Sequence, residues 1–304
     1  MKGMIAHYKN GNAMVSLFAD GTRIINTEDD EFDFEVPLSI DLKVTNRCNK
    51  GCAMCHEDST PYGKHAQFSS FKFLESWGSG KEVAIGGGSV TCYPYFEELL
   101  HLIKALGLFA NVTFHQDELL ENFETIKRYQ EDGLIHGIGV SYSHEDDKLF
   151  GLLNRLDNVV IHVIAGLIRS VDLMYLQQVT HKPKLLILGY KTFRRGNILY
   201  GEKHDTIEEN IEELRLSMSW LLGKHSPFVA VSFDNLALEQ LNVKAYVPKK
   251  LWDLYYQGDE GTCSMYIDAV EGQYAVNSTS TIRKPICEDI KTMFQDVKEQ
   301  AKND

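Results

Sequence analysis

The sequence predicts an α/β protein: a partial (β/α)6-type TIM-like barrel, with a small N-terminal β-meander before it and a C-terminal hairpin/helix cap after it. Three observations predict this. From Leu38 onward, short apolar runs of β type alternate with amphipathic helical stretches, the pattern of a parallel sheet. Before that point, Asn10-Gly-Asn12 and Asp20-Gly21 separate three short β-type runs, because Gly and Asn tolerate the positive φ of hairpin turns. After the last repeat, Met265–Val270 and Tyr274–Val276 flank Glu271-Gly-Gln273, a second hairpin signature.

Residues 1–36 form the expected meander, from the runs Met4–Tyr8, Ala13–Phe18 and Arg23–Ile25; the acidic Glu28–Glu35 stretch and Pro37 close it. In residues 37–235 the strands are Leu38–Val44, Glu82–Ile85, Asn111–His115, Gly137–Tyr142, Val159–Ile164, Leu185–Leu188 and Phe228–Phe233. Helices near Phe68–Trp77, Tyr95–Leu106, Glu118–Tyr129, Asp146–Leu153, Val171–Gln178 and Thr206–Leu222 fall between them. Near-continuous hydrophobicity of these strands predicts burial on both faces. Repeated units with right-handed crossovers curl most readily into a full or partial barrel, with a flat doubly wound sheet as the alternative. Either way, chemistry belongs at the C-terminal ends of the strands. Residues 236–304 are expected to cap the barrel.

At 304 residues the chain is one large domain or two ordinary ones, with 43% hydrophobic and 24% charged residues, as in a soluble globular protein. No apolar run approaches the roughly 20 residues of a membrane span. The first residues lack the apolar core of a signal peptide, so a cytoplasmic protein is expected. A formal charge of −12 argues against a broad duplex nucleic-acid surface, which needs concentrated Lys and Arg.

Six cysteines are too few for a disulfide scaffold, and three of them sit together in Cys48-Asn-Lys-Gly-Cys52-Ala-Met-Cys55. Three thiolates on one short loop can hold three corners of an iron–sulfur cluster and leave the fourth open. The rival arrangement is zinc on Cys48, Cys52, Cys55 and His56, pinning a loop for partner binding. Adjacent residues rarely wrap one tetrahedral ion, and no second cysteine pair lies nearby, since Cys92, Cys263 and Cys287 are isolated.

Cys48-x-x-x-Cys52-x-x-Cys55, directly after the first strand of a β/α series, resembles the signature of the radical S-adenosylmethionine (radical SAM) superfamily. The resemblance covers about residues 38–235. It implies a [4Fe-4S] cluster on the three cysteines, with an open iron that chelates the amino and carboxylate groups of SAM. It also implies reductive cleavage of SAM to a 5′-deoxyadenosyl radical that abstracts a substrate hydrogen, and a reductant such as flavodoxin or ferredoxin. Met54 stands where the family usually has an aromatic residue, and can still shield the cluster. Gly86-Gly87-Gly88-Ser89 ends the second strand where the family commonly has Gly-Gly-Glu-Pro, so the missing glutamate's contact falls to backbone carbonyls or Ser89. His115, Ser141 and Ser143, at the ends of the third and fourth strands, are candidates for SAM contact; Ser143 is equally suited to cap a helix.

The segment Tyr190-Lys191-Thr-Phe-Arg194-Arg195 places two guanidinium groups and an ammonium after the sixth strand. It suits a carboxylate or phosphate, of the substrate at Lys191 and Arg194 or of SAM at Arg195. Asp234 and Asn235 could orient a polar substrate or cap the next helix. Tyr190, Cys92 and Cys263 are candidate catalytic groups, the cysteines as hydrogen donors to a product radical. His162, mid-strand, is expected in the core. The absence of a Cys-rich C-terminal extension favours a small polar or nucleotide-like substrate over a peptide or protein.

Overall fold

The structure, a computed structural model, describes residues 3–178 and 183–302. The first three strands, β1 (Met4–Asn10), β2 (Ala13–Phe18) and β3 (Arg23–Asn26), form the expected antiparallel meander. The parallel series follows: β4 (Ser39–Thr45), β5 (Glu82–Gly87), β6 (Phe109–His115), β7 (Gly137–Ser141), β8 (Val159–Ile164), β9 (Lys184–Leu188) and β10 (Ala230–Phe233). Between them run α1 (Phe96–Ala105), α2 (Gln116–Glu121), α3 (Phe123–Glu131), α4 (Asp147–Leu153), α5 (Ser170–Leu176), α6 (Arg195–Leu216) and α7 (Met218–Leu221). The chain ends with α8 (Asn235–Gln240), α9 (Lys249–Tyr255), β11 (Ser264–Asp268), β12 (Gln273–Ala275), β13 (Lys284–Pro285) and α10 (Ile290–Ala301). Among the described residues no helix is long and apolar enough to cross a membrane.

One ten-stranded sheet has the order β10-β9-β8-β7-β6-β5-β4-β11-β12-β13. From β4 to β10 the order never reverses, whereas a doubly wound sheet reverses at its switch point. The C-terminal hairpin forms and joins the sheet: β11 pairs in parallel with β4, Met265 opposite Ile40. Alternation and a Gly turn specify a hairpin locally; they carry no information about a partner strand more than two hundred residues away. The segment near Phe68–Trp77 is a 3-10 helix and not an α-helix, with Phe71 and Leu74 buried at its three-residue spacing. The expected helix over 118–129 divides into α2 and α3 at Asn122. Helix α6 begins at Arg195, eleven residues before the expected start at Thr206, and is interrupted by the non-helical Lys203.

The two faces of the sheet differ, which corrects the expectation of burial on both. Ile40, Leu42, Val44, Val83, Ile85, Val112, Phe114, Val140, Ile161, Val163, Leu185 and Ile187 are fully buried, in one core with Leu99, Ile103, Ile126, Leu173 and Ile207 of the helices. Most alternate positions in β4 to β7 are polar or small, whereas β8 and β9 place the partly buried Val160, Ile164, Leu186 and Leu188 on that face. Thr113, His115, Ser141 and His162 are partly accessible, and Asp41 is exposed. In β4 the signal of that difference is the strict alternation Ser39-x-Asp41-x-Lys43-x-Thr45. His162 therefore stands on the polar face, and burial by the surrounding protein pushes its imidazole down to about 4.

The meander contacts the N-terminal ends of the parallel strands. Arg23 pairs with Glu82 at the start of β5, 2.9 Å apart. Lys184, which starts β9, donates to the Asp20 carbonyl and to Asn158 just before β8. Lys81 lies over the Tyr8 ring at 4.8 Å. That end of the sheet is covered, and the C-terminal end is left for a site.

Candidate functional site

The loop that leaves β4 carries the three cysteines, and its two legs are tied to each other. Thr45 bridges His65, Arg47 bridges Thr60, and the Cys48 amide donates to the Thr60 carbonyl at 2.8 Å. Cys48, Cys52 and Cys55 are free and partly buried. Burial pushes the Cys48 and Cys52 thiols up, and the neighbouring sulfurs raise both further. A bound metal centre reverses this balance by favouring the thiolates. Within the loop the Cys55 amide donates to the Cys52 carbonyl at 3.2 Å.

The Lys50 amide already points at Cys48 Sγ, 3.5 Å away. Among the described residues no three His, Cys, Asp or Glu groups converge on a single ion. His56 Nε2 faces Glu57 Oε1 at 3.5 Å. A four-iron cluster places each thiolate on a different iron and needs no such convergence, so the donor set fits it.

The glycine turn leaving β5 lies directly against this loop. Gly88 and Ser89 donate their amides to the Thr45 and Arg47 carbonyls at 2.7 and 2.8 Å. A Cβ on Gly87, whose φ is +118°, would sit 2.4 Å from the Thr45 carbonyl oxygen, and one on Gly88 would sit 2.3 Å from that of Arg47. Two of the three glycines are therefore required by backbone packing. At Gly86 a Cβ would meet nothing within 4 Å, so the first glycine opens onto free space.

Ser89 is buried, and its hydroxyl donates to Glu118 Oε1 at 2.7 Å. Thr91 donates both its amide and its hydroxyl to the same oxygen, at 2.8 and 2.7 Å. The other carboxylate oxygen, Oε2, is buried without a partner. Glu118 was missed in the sequence, where it reads as an ordinary acidic residue opening a helix.

A cavity of about 390 Å3 lies at the ends of β7 and β8, walled by Met54, Tyr142, Ser143, Ile164, Leu167 and Arg169 among others. Met54 of the cysteine loop and Ser143 thus meet in one place. A larger cavity of about 550 Å3 lies between α1 and α3, lined by Thr91, Phe96, His101, Ile126 and Tyr129 among others. Ser143 also bonds His144 Nδ1 at 3.0 Å. Ser141 ends β7, opposite His115 of β6, and does not line either cavity. His115 caps α2, accepting from the Asp117 amide at 3.2 Å, and burial pushes its imidazole down.

The basic turn after β9 grips the far leg of the cysteine loop. Arg194 donates to the Glu57 carbonyl at 2.8 Å, and Arg195 donates to the Ser59 carbonyl at 2.7 Å and pairs with Asp58 at 3.1 Å. A Cβ on Gly196 would lie 3.3 Å from the Met54 carbonyl oxygen, so α6 starts against the loop itself. Lys191 bonds Ser278 at 2.9 Å, and the Tyr190 hydroxyl is buried on the Gly196 carbonyl at 2.8 Å. Asp234 accepts from the Gly189 and Ala237 amides, both at 2.8 Å, as the cap of α8, and Asn235 reaches the Gly258 carbonyl at 3.5 Å. Cys92 is exposed beyond the glycine turn. The Cys263 carbonyl accepts from the Leu38 amide at 2.8 Å, which puts this residue at the N-terminal end of the strands, opposite the cysteine loop.

A buried ionic network, also missed in the sequence, fixes the loop from below. Lys43 pairs with Glu57 at 2.8 Å and Asp268 at 3.2 Å, Tyr266 donates to Glu57 at 2.8 Å, and Arg283 approaches Asp268 at 3.5 Å. Burial pushes the Glu57 carboxyl up, but Lys43, His56 and Tyr266 together hold it below its ordinary range. An inward lysine in an apolar strand was the available signal, since a buried ammonium requires counter-charges. Nearby, Asp41 is reached by solvent yet surrounded by protein. Burial pushes it up to about 6; Lys191 opposes that rise, and Glu260 and Asp234 add to it.

No family model and no curated protein matches the chain. Solved structures do match in fold. Streptococcus suis SuiB bound to precursor peptide SuiA is similar at a TM-score of 0.59 and 12% identity, over 88% of this chain and 67% of that one. SuiB bound to S-adenosylmethionine is similar at a TM-score of 0.57 and 12% identity, over 90% of this chain and 67% of that one. The shared feature is a mixed α/β architecture built on a large, mainly parallel sheet.

Proposed function

We propose that this chain is a radical SAM enzyme in which Cys48, Cys52 and Cys55 hold a [4Fe-4S] cluster and SAM binds beside it at the strand ends. One observation carries the reading: the loop that carries the three cysteines leaves β4 directly against the glycine turn that leaves β5. Similarity in fold to SAM-bound SuiB supports it. A cluster held by Cys48, Cys52 and Cys55 would supply the electron for reductive cleavage of SAM to methionine and a 5′-deoxyadenosyl radical able to take a hydrogen atom from the substrate.

The chain's own residues position and shield. Gly86 leaves room for the ligand to approach the backbone, and Met54, Tyr142, Ile164 and Leu167 offer apolar walls for the adenine. Excluding water there protects the radical from unproductive reactions. Arg194 and Arg195 keep the cysteine loop seated by holding its far leg.

We read the unreversed sheet of residues 37–235 as an open, partial barrel, with residues 1–36 against its N-terminal end and residues 236–304 extending it beyond β4. Its polar concave face, with Asp41, Thr113, Ser141 and His162, is the substrate's place. A small polar or nucleotide-like substrate fits that lining. A peptide substrate draws support from SuiB, whose structure holds a precursor peptide. The test is anaerobic reconstitution with iron and sulfide, then reduction in the presence of SAM. Brown protein that forms 5′-deoxyadenosine supports the reading; colourless protein with one zinc per chain and no SAM cleavage refutes it.

A further inference from the structure

We infer that Glu118 is the residue that receives the α-amino group of SAM, through its free carboxylate oxygen; the inference rests on the radical SAM reading. Glu118 is 1% exposed, and among the described residues no basic side chain forms an ion pair with it. The nearby Lys50 ammonium is taken by Glu121 at 3.0 Å. All three hydrogen bonds from Ser89 and Thr91 fall on Oε1, and Oε2 is buried and bare. A buried acceptor in that state is unfavourable until a donor reaches it.

Position selects the donor. Glu118 is bonded by Ser89 of the turn that follows Gly86–Gly88, and the Ser89 amide donates to the carbonyl of Arg47, the residue before Cys48, so Glu118 stands beside the glycine turn and the start of the cysteine loop. Three groups of SAM lie at its reacting end. The sulfonium has no hydrogen to donate, and the carboxylate would be repelled by a second carboxylate. Only the amino group supplies N–H donors, and SAM as a whole brings positive charge to a buried anion. Ser89, the sequence-based candidate for this contact, acts one step back by holding Oε1 so that Oε2 keeps its orientation.

The experiment measures equilibrium binding to anaerobically reconstituted holoprotein, for SAM and for a deaminated analogue in which hydrogen replaces the amino group. Glu118→Gln keeps the side chain's shape and an oxygen for Ser89 and Thr91. It should weaken SAM binding by roughly 10- to 100-fold, the range expected when a buried charge-assisted hydrogen bond is lost. Iron content and melting temperature should match the wild type. The deaminated analogue should bind wild type at least as weakly as the variant binds SAM, since it also loses the amino group's bond to the open iron, and it should lose little more on Glu118→Gln, because the Glu118 contact is already gone.

Equal affinity of wild type and Glu118→Gln for SAM, or penalties that simply add, would overturn the assignment. The wild-type comparison needs no variant: binding SAM and the deaminated analogue equally well also overturns it. Holoprotein that contains the cluster and binds neither ligand overturns the radical SAM reading itself, and this inference with it.

Discussion

Glu57 and Glu118 flank the cysteine loop and are buried alike, 6% and 1% exposed, but their surroundings differ. Glu57 has a partner on each oxygen, Tyr266 on Oε1 and Lys43 on Oε2, and it joins the loop to β4 and β11. Glu118 has three donors on one oxygen and none on the other. Burial alone therefore does not separate a structural carboxylate from a binding one. The completeness of its hydrogen bonding does: a satisfied group holds the loop in place, and a half-satisfied one marks where something else must arrive.

The comparison can be broken by substitution, and the largest effect belongs to neither glutamate. Replacing Cys48, Cys52 or Cys55 with Ala should each abolish bound iron and 5′-deoxyadenosine formation, measured by iron assay and chromatography. Retention of both by any one variant would remove that cysteine from the proposed ligand set. Next in size is Lys43→Met, which leaves Glu57 and Asp268 without their shared cation. Breaking a buried pair from one side is worth about 3–5 kcal/mol, read as a lower urea midpoint. Glu118→Gln should change stability by less than about 1 kcal/mol, because Gln can still accept from Ser89 and Thr91. Similar losses of stability in the two variants would erase the distinction drawn between the two carboxylates.

Arg194→Ala should act through the loop and not through a substrate anion. Since the guanidinium holds the Glu57 carbonyl, SAM cleavage and substrate conversion should fall together, severalfold, in assays of both products. Conversion lost with SAM cleavage intact would return Arg194 to the substrate clamp.

The smallest expected effect is that of Asp41. Its carboxyl is raised to about 6, so the folded chain binds that proton more tightly than the unfolded chain. The resulting stabilisation is complete below the ordinary carboxyl range and is gone once pH passes the raised value. Asp41→Asn should therefore gain stability on wild type between about pH 4 and about pH 6, followed by urea denaturation at each pH. A constant difference across that range would mean that Asp41 titrates normally.

The parallel strands were legible in the sequence because each apolar run is bracketed by its own turn and helix signals. The cysteine loop was legible because its spacing is local. What was not legible depends on tertiary pairing. Nothing near Met265 shows that its strand lies beside Ile40, and nothing near Glu118 shows that Ser89 and Thr91 bond to it across 29 and 27 residues. Arg194 and Arg195 looked like an anion clamp because a pair of guanidinium groups suits an anion, and backbone carbonyls of a loop suit them equally. The Asp41–Lys43–Thr45 alternation could have been used: it marks a polar face on the strand that delivers the cysteines.

The most direct test of the central claim is electron paramagnetic resonance of the reconstituted, reduced protein, recorded with and without SAM. The account predicts a reduced [4Fe-4S] signal that changes shape when SAM is added, because SAM takes the coordination position the three cysteines leave open. A cluster signal that SAM does not perturb, or protein that takes up no iron, would contradict it.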